Sequence, residues 1–322
     1  MKIVFHGANA SAFEPGFSSL LERAHDVSVV SDTLESTAEQ LTFGNAEVLI
    51  GIRLDAKLPK PERLRLYHAP AAGTDGVDRS RFPASVPLCN CFGHEYAIAE
   101  YVIAAVLNRF VPLDASDRDL RKGEWTYWPS RPNTTRREMG DSTMGLLGFG
   151  HIGKAVAARA KAFGMRVTVA NRSPVASSPL VDQSFSLDQL PAFMSSADTI
   201  VVSLPLLPEV RGIVGANALA AMRPDAVIIN VGRGPVIDQT ALYEALKGRR
   251  IGGAVIDTWY AYPPDINTTI LPARLPFHEL DNIVMTPHMS AWTTGTIRRR
   301  QQTMADNINR LLRGEPLINV VA

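Results

Sequence analysis

The stretch GLLGFGHIGKAVAARAKAFG, Gly145 to Gly164, restricts the fold more than any other part of this 322-residue chain. An apolar strand runs into glycines at 148, 150 and 153, and a helical pattern starts at once. The first two glycines permit a tight turn and a close backbone approach to a pyrophosphate; the third lets helix and strand pack. The helix start adds unpaired N–H groups and a partial positive charge. Three glycines alone are a weak signal, but here the strand, the turn and the helix are all present. Gly148, Gly150, His151, Ile152 and Gly153 are therefore the expected contacts of a dinucleotide.

The pattern repeats outward from this turn. TMGLLG, RVTVAN, DTIVVSL, AVIINVG, IGGAVID and NIVMTPH read as six strands with helical crossovers, as a dinucleotide-binding domain requires. Before them, KIVFHG, DVSVVS, AEVLIGI and LRLYHA read as strands of another unit. HEYAIAEYVIAAVLNRF is a long apolar helix, and the polar, Trp-rich RKGEWTYWPSRPNTTRREMGD suits a surface connection, where Trp125 and Trp128 form a local cluster or a dimer contact. The tail IRRRQQTMADNINRLLRGEP has helical periodicity with a stop at Gly314, and it is expected to cross back to the first unit. Strands alternating with helices almost throughout argue an α/β fold of doubly wound parallel sheets.

Composition narrows the partners. With 33 basic against 32 acidic side chains, the net charge of +1 leaves no footprint for nucleic acid or a membrane surface. No run reaches the ~18 apolar residues of a membrane span, and the N-terminus lacks the core of a signal peptide. A cytoplasmic location is expected. Cys89 and Cys91 read as two reduced thiols, and no metal site is expected.

The strand after the glycine turn bears on the cofactor. An NAD site usually ends this strand in Asp or Glu, which binds the ribose 2′-hydroxyl. Here VTVANRSP puts Asn171 in that place, followed by Arg172 and Ser173. Loss of the carboxylate removes repulsion of a 2′-phosphate, while Arg172 offers a charged fork and Ser173 a hydroxyl. NADP(H) is the preferred reading. The alternative is a solvated Arg172 with NAD(H) accepted through Asn171.

Later strands end in chemistry. SADTIVVSLPLLPEVRGIVG leaves its strand at Leu204 and Pro205, a turn suited to pass beneath the cofactor, and AVIINVGRGPVIDQTALYEAL leaves at Val231 into Gly-Arg-Gly. Arg233 is thereby placed where open α/β sheets bind ligands, and a guanidinium there can grip a carboxylate. NIVMTPHMSAWT sets His288 after the last strand, beside a proline. A lone histidine is usually structural, but one in this company reads as an acid/base group.

At these residues the chain resembles the D-isomer-specific 2-hydroxyacid dehydrogenase family. GLLGFGHIGKAVA, SLPLLPEVRGIV, INVGRGPVIDQTAL, AVIDTW and TPHMSAWT are similar to its successive blocks, in order. HAPAAGTDGVD resembles its substrate loop, and AIAEYVIAAVL its first interdomain helix. The resemblance implies two Rossmann-like domains, with a nucleotide-binding domain, 99–288, inserted into a flavodoxin-like substrate domain, 1–98 and 289–322. It implies a site in the cleft between them and a homodimer. The implied substrate is a small carboxylate, a 2-keto acid interconverted with a D-2-hydroxy acid. Arg233 would bind the carboxylate, His288 would move the proton, Asp257 would orient the nicotinamide carboxamide, and amides near Ala72 and Gly73 would hold the other carboxylate oxygen. An Arg and an imidazolium suit this chemistry because hydride arriving at a ketone builds charge on oxygen.

One position departs from the family. A Glu usually follows five residues after the acid equivalent to Asp257 and pairs with the histidine; here that position is Tyr262. A paired Glu raises the histidine pKa, and Tyr brings no charge. In one reading the enzyme works with a neutral partner for His288; in another, Asp265 swings in as the missing acid. The formate dehydrogenase branch, which also lacks this Glu, suggests hydride abstraction without proton transfer. A catalytically weak cofactor-binding sensor or corepressor is the remaining alternative. His94 stands where many members have Asn. Trp292, Tyr260 and Tyr262 are candidate pocket walls, and Arg53 a candidate for a second substrate carboxylate or a solvated loop residue.

Overall fold

The computed structural model describes residues 1–129, 131–264 and 267–321. The chain divides into two compact units, Met1–Gly93 with Trp292–Ala322, and His94–Ala291. These limits lie a few residues from those expected. The helix Glu95–Phe110 stays whole because its buried face, Ile98 to Phe110, belongs to one core cluster. Residues 289 and 290 stay with the second unit because their amides are hydrogen-bonded to Asp257.

In the first unit, strands β1 (Lys2–His6), β2 (Asp26–Val30), β3 (Val48–Ile50), β4 (Leu66–His68) and β5 (Leu88–Cys89) form a parallel sheet in the order β2-β1-β3-β4-β5. Helices α1 (Gly7–Ser11) and α2 (Thr37–Gly44) follow β1 and β2. This is the flavodoxin-like order. The two-residue β5 carries too short an apolar run to be read as a strand from sequence.

Seven strands form the second sheet: β6 (Thr143–Leu147), β7 (Arg166–Asn171), β8 (Gln183–Ser186), β9 (Thr199–Val202), β10 (Val227–Asn230), β11 (Gly253–Ile256) and β12 (Ile283–Met285). Their order is β12-β11-β10-β9-β6-β7-β8, all parallel. The sequence reading contains all but β8. That strand, QSFS, is polar and mostly exposed at the sheet edge, so it lacks the apolar pattern that marks the others.

Helices cover both faces. On one, α3 (Glu95–Phe110) and α5 (His151–Ala162) bury Val102, Val106, Val156 and Ala160 with Leu146, Val169 and Ile229. The segment α4 (Leu113–Leu120) follows α3. On the other face, α6 (Leu190–Ser195), α7 (Ala216–Ala220) and α8 (Gln239–Lys247) bury Phe193, Leu219 and Leu242 with Ile200, Ile228 and Ile256.

Helix α9 (Thr294–Arg313) belongs to the first unit. The Thr293 hydroxyl caps it by accepting the Thr296 N–H, and Gly314 ends it at φ +70, a left-handed cap that glycine reaches without a Cβ clash. Its apolar stripe, Met304, Ala305 and Ile308, packs on Ile3, Phe5 and Ile50. Burying a side chain the size of Met or Ile contributes roughly 1.5–3 kcal/mol, so Ile308→Asp would detach the helix. No single helix among the described residues is long and apolar enough to cross a membrane.

Candidate active site

The switch point of the second sheet lies between β6 and β9, where the strand order reverses, and open α/β sheets bind ligands outside the carboxyl ends of strands at this point. The three glycines sit here with different physical duties. Gly148 has φ +102, and a Cβ on it would stand 3.1 Å from the Ser203 hydroxyl oxygen. A Cβ on Gly153 would lie 2.4 Å from the Gly148 carbonyl oxygen, so only glycine lets helix and turn approach. Gly150 has nothing within 4 Å of an added Cβ. Open space therefore stands over the middle glycine, at the start of α5, whose N-cap is Gly150 and carries no side-chain cap. His151 is exposed and Ile152 half-buried in the first turn. This arrangement fits a pyrophosphate.

Asn171 ends β7 and ties two loops together. Its Oδ1 accepts the Phe149 N–H at 3.4 Å, and its Nδ2 donates to the Ser173 carbonyl at 3.0 Å. The amide thus joins the glycine turn to the segment bearing Arg172 and Ser173. Arg172 has an acidic neighbour: its Nη1 lies 3.7 Å from Glu209, with 73% and 56% of the two side chains exposed. Such a surface pair is worth about 0–1 kcal/mol, so a phosphate dianion can compete for the guanidinium.

The Gly-Arg-Gly turn is squeezed from both sides. A Cβ on Gly232 would lie 2.7 Å from the Leu204 carbonyl oxygen, and one on Gly234 would lie 2.2 Å from that of Trp259. These contacts bring the Leu204-Pro205 turn, Arg233 and the segment after β11 together. Asn230 completes the clamp, accepting the Gly232 N–H at 3.1 Å and donating to the Arg233 carbonyl at 3.2 Å. Val231 is buried, its N–H donating to Val202. Arg233 itself is half-buried, with Nη1 donating to the Gly232 carbonyl at 3.0 Å.

His288 is exposed and has φ +58. The left-handed region is unusual for a residue with a Cβ and costs of order 1–3 kcal/mol. Asp257 is fully buried beneath this turn. Its Oδ1 accepts the Thr286 hydroxyl at 2.6 Å and the Met289 N–H at 2.8 Å, and its Oδ2 accepts the Ser290 N–H at 3.0 Å. Both carboxylate oxygens are engaged by the loop that bears His288, and the side chain has no exposed surface.

Tyr262, the expected neutral neighbour of His288, stands beside it. Its hydroxyl accepts the Trp259 N–H at 2.9 Å, and its ring lies 5.6 Å from the imidazole, tilted by 46°. Burial pushes the phenol above its usual pKa, outweighing the Trp259 hydrogen bond and nearby Arg233, which lower it. The group is therefore uncharged at neutral pH. Trp259 is buried, and its Nε1 donates to the Thr286 carbonyl at 2.7 Å. Tyr260, a candidate wall, packs instead against Phe277, with its hydroxyl donating to the Ile237 carbonyl. Asp265 lies outside the described residues. His94 is buried at the N-cap of α3, with Nδ1 3.9 Å from the Glu95 carboxylate.

The remaining candidates lie in the first unit. Ala72 and Gly73 occupy an irregular loop after β4, where the Ala72 carbonyl accepts from Asn90 at 2.7 Å. Trp292 is half-exposed and meets Phe13 edge-on at 5.8 Å. Arg53 directs its Nε to Asp55 at 2.6 Å, and that hydrogen bond holds the Asp55 carboxyl below its usual pKa. This local pair, invisible in the sequence, weakens the case for Arg53 as a second carboxylate grip. Thr286, Tyr101 and Glu209 were missed altogether, since none carries a spacing signal of its own.

Residues 103–290 match the family model described as D-isomer specific 2-hydroxyacid dehydrogenase, NAD binding domain. The chain belongs to this family. The D-3-phosphoglycerate dehydrogenase of Methanocaldococcus jannaschii is 31% identical over 317 residues, 94% of this chain. The chain spans only 56% of that relative's length. The glycerate dehydrogenase of Methylorubrum extorquens is 28% identical over 88% of both chains. Among solved structures, a family member from Xanthobacter autotrophicus Py2 in complex with NADPH and MES superposes with a TM-score of 0.78 at 27% identity, covering 99% of this chain and 97% of that one. This family of oxidoreductases uses NAD or NADP, and the two parallel-sheet units fit its Rossmann-like architecture.

Proposed function

We propose that this dehydrogenase-family chain reduces a 2-keto acid to a D-2-hydroxy acid with NADPH, accepting NADH less well. The observation that carries the reading is the joint placement of Arg233 and His288. The first is clamped between two backbone-packed glycines, and the second stands in a braced left-handed turn. Both leave the sheet that carries the pyrophosphate turn.

The cofactor would be held by Gly148, Gly150, His151, Ile152 and Gly153 at its phosphates, and it supplies the hydride when bound. Arg172 and Ser173 would hold a 2′-phosphate. Arg233 would grip the substrate carboxylate and stabilise the charge that develops on the carbonyl oxygen. His288 would hand that oxygen a proton in reduction and take it back in oxidation. The amides of Ala72 and Gly73 would hold the second carboxylate oxygen, with Trp292 and His94 near the substrate. The Xanthobacter complex with NADPH supports the cofactor choice. Tyr262 brings the imidazole no charge, so reduction is expected to lose rate at lower pH than in a site with a Glu partner.

The uncharged Tyr262 also favours a second reading, hydride abstraction from formate without proton transfer. A spectrophotometric screen of 2-keto acids, with formate and both cofactors, tests the two. Turnover of a 2-keto acid with NADPH supports the first; formate oxidation alone would replace it. Cofactor binding without any turnover would instead point to a sensor.

A further inference from the structure

Trp259 touches both turns of the candidate site, and its backbone and side chain meet different partners. Its carbonyl is pressed against Gly234, beside Arg233: a Cβ on that glycine would lie 2.2 Å from the Trp259 oxygen and 3.1 Å from its Cα. Its N–H donates to the Tyr262 hydroxyl at 2.9 Å, and the Tyr262 ring stands 5.6 Å from the imidazole of His288. Its indole Nε1 donates to the Thr286 carbonyl at 2.7 Å, two residues before His288. A buried indole N–H has to find an acceptor, and here the acceptor is the turn that bears the histidine. Neighbours keep the residue from shifting. The indole packs edge-on against Phe277, with ring centroids 6.2 Å apart, and the N–H groups of Tyr260 and Ala261 both donate to the Pro272 carbonyl.

We propose that Trp259 is a positioning residue, which holds the Arg233 turn, the His288 turn and Tyr262 in one register. Arg233 follows β10, Trp259 follows β11 and His288 follows β12, three neighbouring strands of one sheet. Their backbone ladder reaches Asp257, which donates to the Asn230 carbonyl, and Thr286, which donates to the Ile256 carbonyl. Arg233 and His288 lie beyond these bonds, so their spacing depends on contacts between the turns, and Trp259 supplies one to each. That spacing matters because a misplacement of about 1 Å between reacting groups can cost on the order of 10²-fold in rate. Packing alone would ask only for a large apolar ring here. The indole bond to the His288 turn goes beyond packing.

The effect on rate rests on the keto-acid reading, whereas the effect on the turn does not. Trp259→Phe keeps an aromatic ring in the core and removes the bond to Thr286. It should lower kcat about tenfold for the 2-keto acid turned over best. KM and the NADPH Kd should stay within about twofold, because the Arg233 turn and the glycine turn keep contacts of their own. Hydrogen exchange at the Met289 amide, next to His288, should accelerate about fivefold. Phe193→Leu is the comparison, since this fully buried ring belongs to the same core cluster. It should lower Tm and leave both kcat and Met289 exchange at their wild-type values. Equal loss of kcat in the two variants at equal loss of Tm would reduce Trp259 to packing and overturn the proposal. Wild-type kcat in Trp259→Phe would overturn it too, as would unchanged exchange at Met289. If the wild type reduces no keto acid, faster Met289 exchange in Trp259→Phe alone would uphold the brace and remove only the assigned reaction.

Discussion

His68 and His288 look alike in sequence. Each stands at or just past the carboxyl end of a parallel strand, with a proline within two residues: LYHAP after β4 and MTPHM after β12. A rule that reads strand-end histidines as acid/base groups would select both. The structure separates them by their surroundings. His68 is fully buried, with Nδ1 3.2 Å from the Ala69 carbonyl and Nε2 3.0 Å from the Asn307 amide. One nitrogen donates and the other accepts, which describes a neutral imidazole, and burial pushes its pKa down to about 4. His288 is exposed, in a left-handed turn whose flanking residues Thr286 and Met289 are bonded to the buried Asp257. A histidine that fastens β4 to α9 and one that can meet a substrate differ in what encloses them, not in their position along a strand.

The sharpest way to break this contrast is to replace each ring with an amide. His288→Gln should leave thermal stability near that of the wild type and lower kcat/KM by about 10²–10⁴ in a steady-state assay, the usual share of general acid–base catalysis. An unchanged rate would deny His288 its proton-transfer part. His68→Gln should instead spare kcat and alter stability. The folded-state pKa of His68 lies below its unfolded value of 6.5, so its contribution is fully present above pH 6.5. It is lost as pH falls toward 4, because the unfolded chain takes up a proton that the folded chain refuses. That loss amounts to about 3 kcal/mol, and a non-titrating Gln should flatten the acid limb of Tm against pH by a corresponding amount.

Two smaller effects test the surroundings of His288 and of the cofactor turn. Tyr262→Glu would set a carboxylate beside the imidazole and raise its pKa. The alkaline limb of keto-acid reduction should then move upward by about one pH unit, read from a kcat profile. Arg172→Ala should reduce the NADPH-to-NADH ratio of kcat/KM by about tenfold, the worth of a partly exposed charged hydrogen bond. An unchanged ratio would leave the cofactor choice to Asn171 and Ser173.

Much of the fold was legible because parallel strands buried on both faces are written as continuous apolar runs, as in Thr199–Val202 and Val227–Asn230. The elements that escaped, Gln183–Ser186 and Leu88–Cys89, are an exposed polar edge and a two-residue strand, which have no such run. Site residues were legible where backbone geometry demands a particular side chain, as at Gly148 and Gly153, where a Cβ cannot be accommodated. They were not legible where a hydrogen bond decides the role. Arg53 turning to Asp55, Arg172 standing beside Glu209, and Tyr262 accepting from Trp259 all depend on side-chain directions.

By itself the sequence determined the α/β architecture, the glycine turn and the strand-end positions of Arg233 and His288, because glycine spacing and strand ends are local features of a chain. Only the tertiary structure decided which groups Asp257 touches. Its partners come from residues 286, 289 and 290 and, through Thr286, from Tyr101, about 150 or more positions away for the last, and contacts over such separations exist only once helix and sheet have packed.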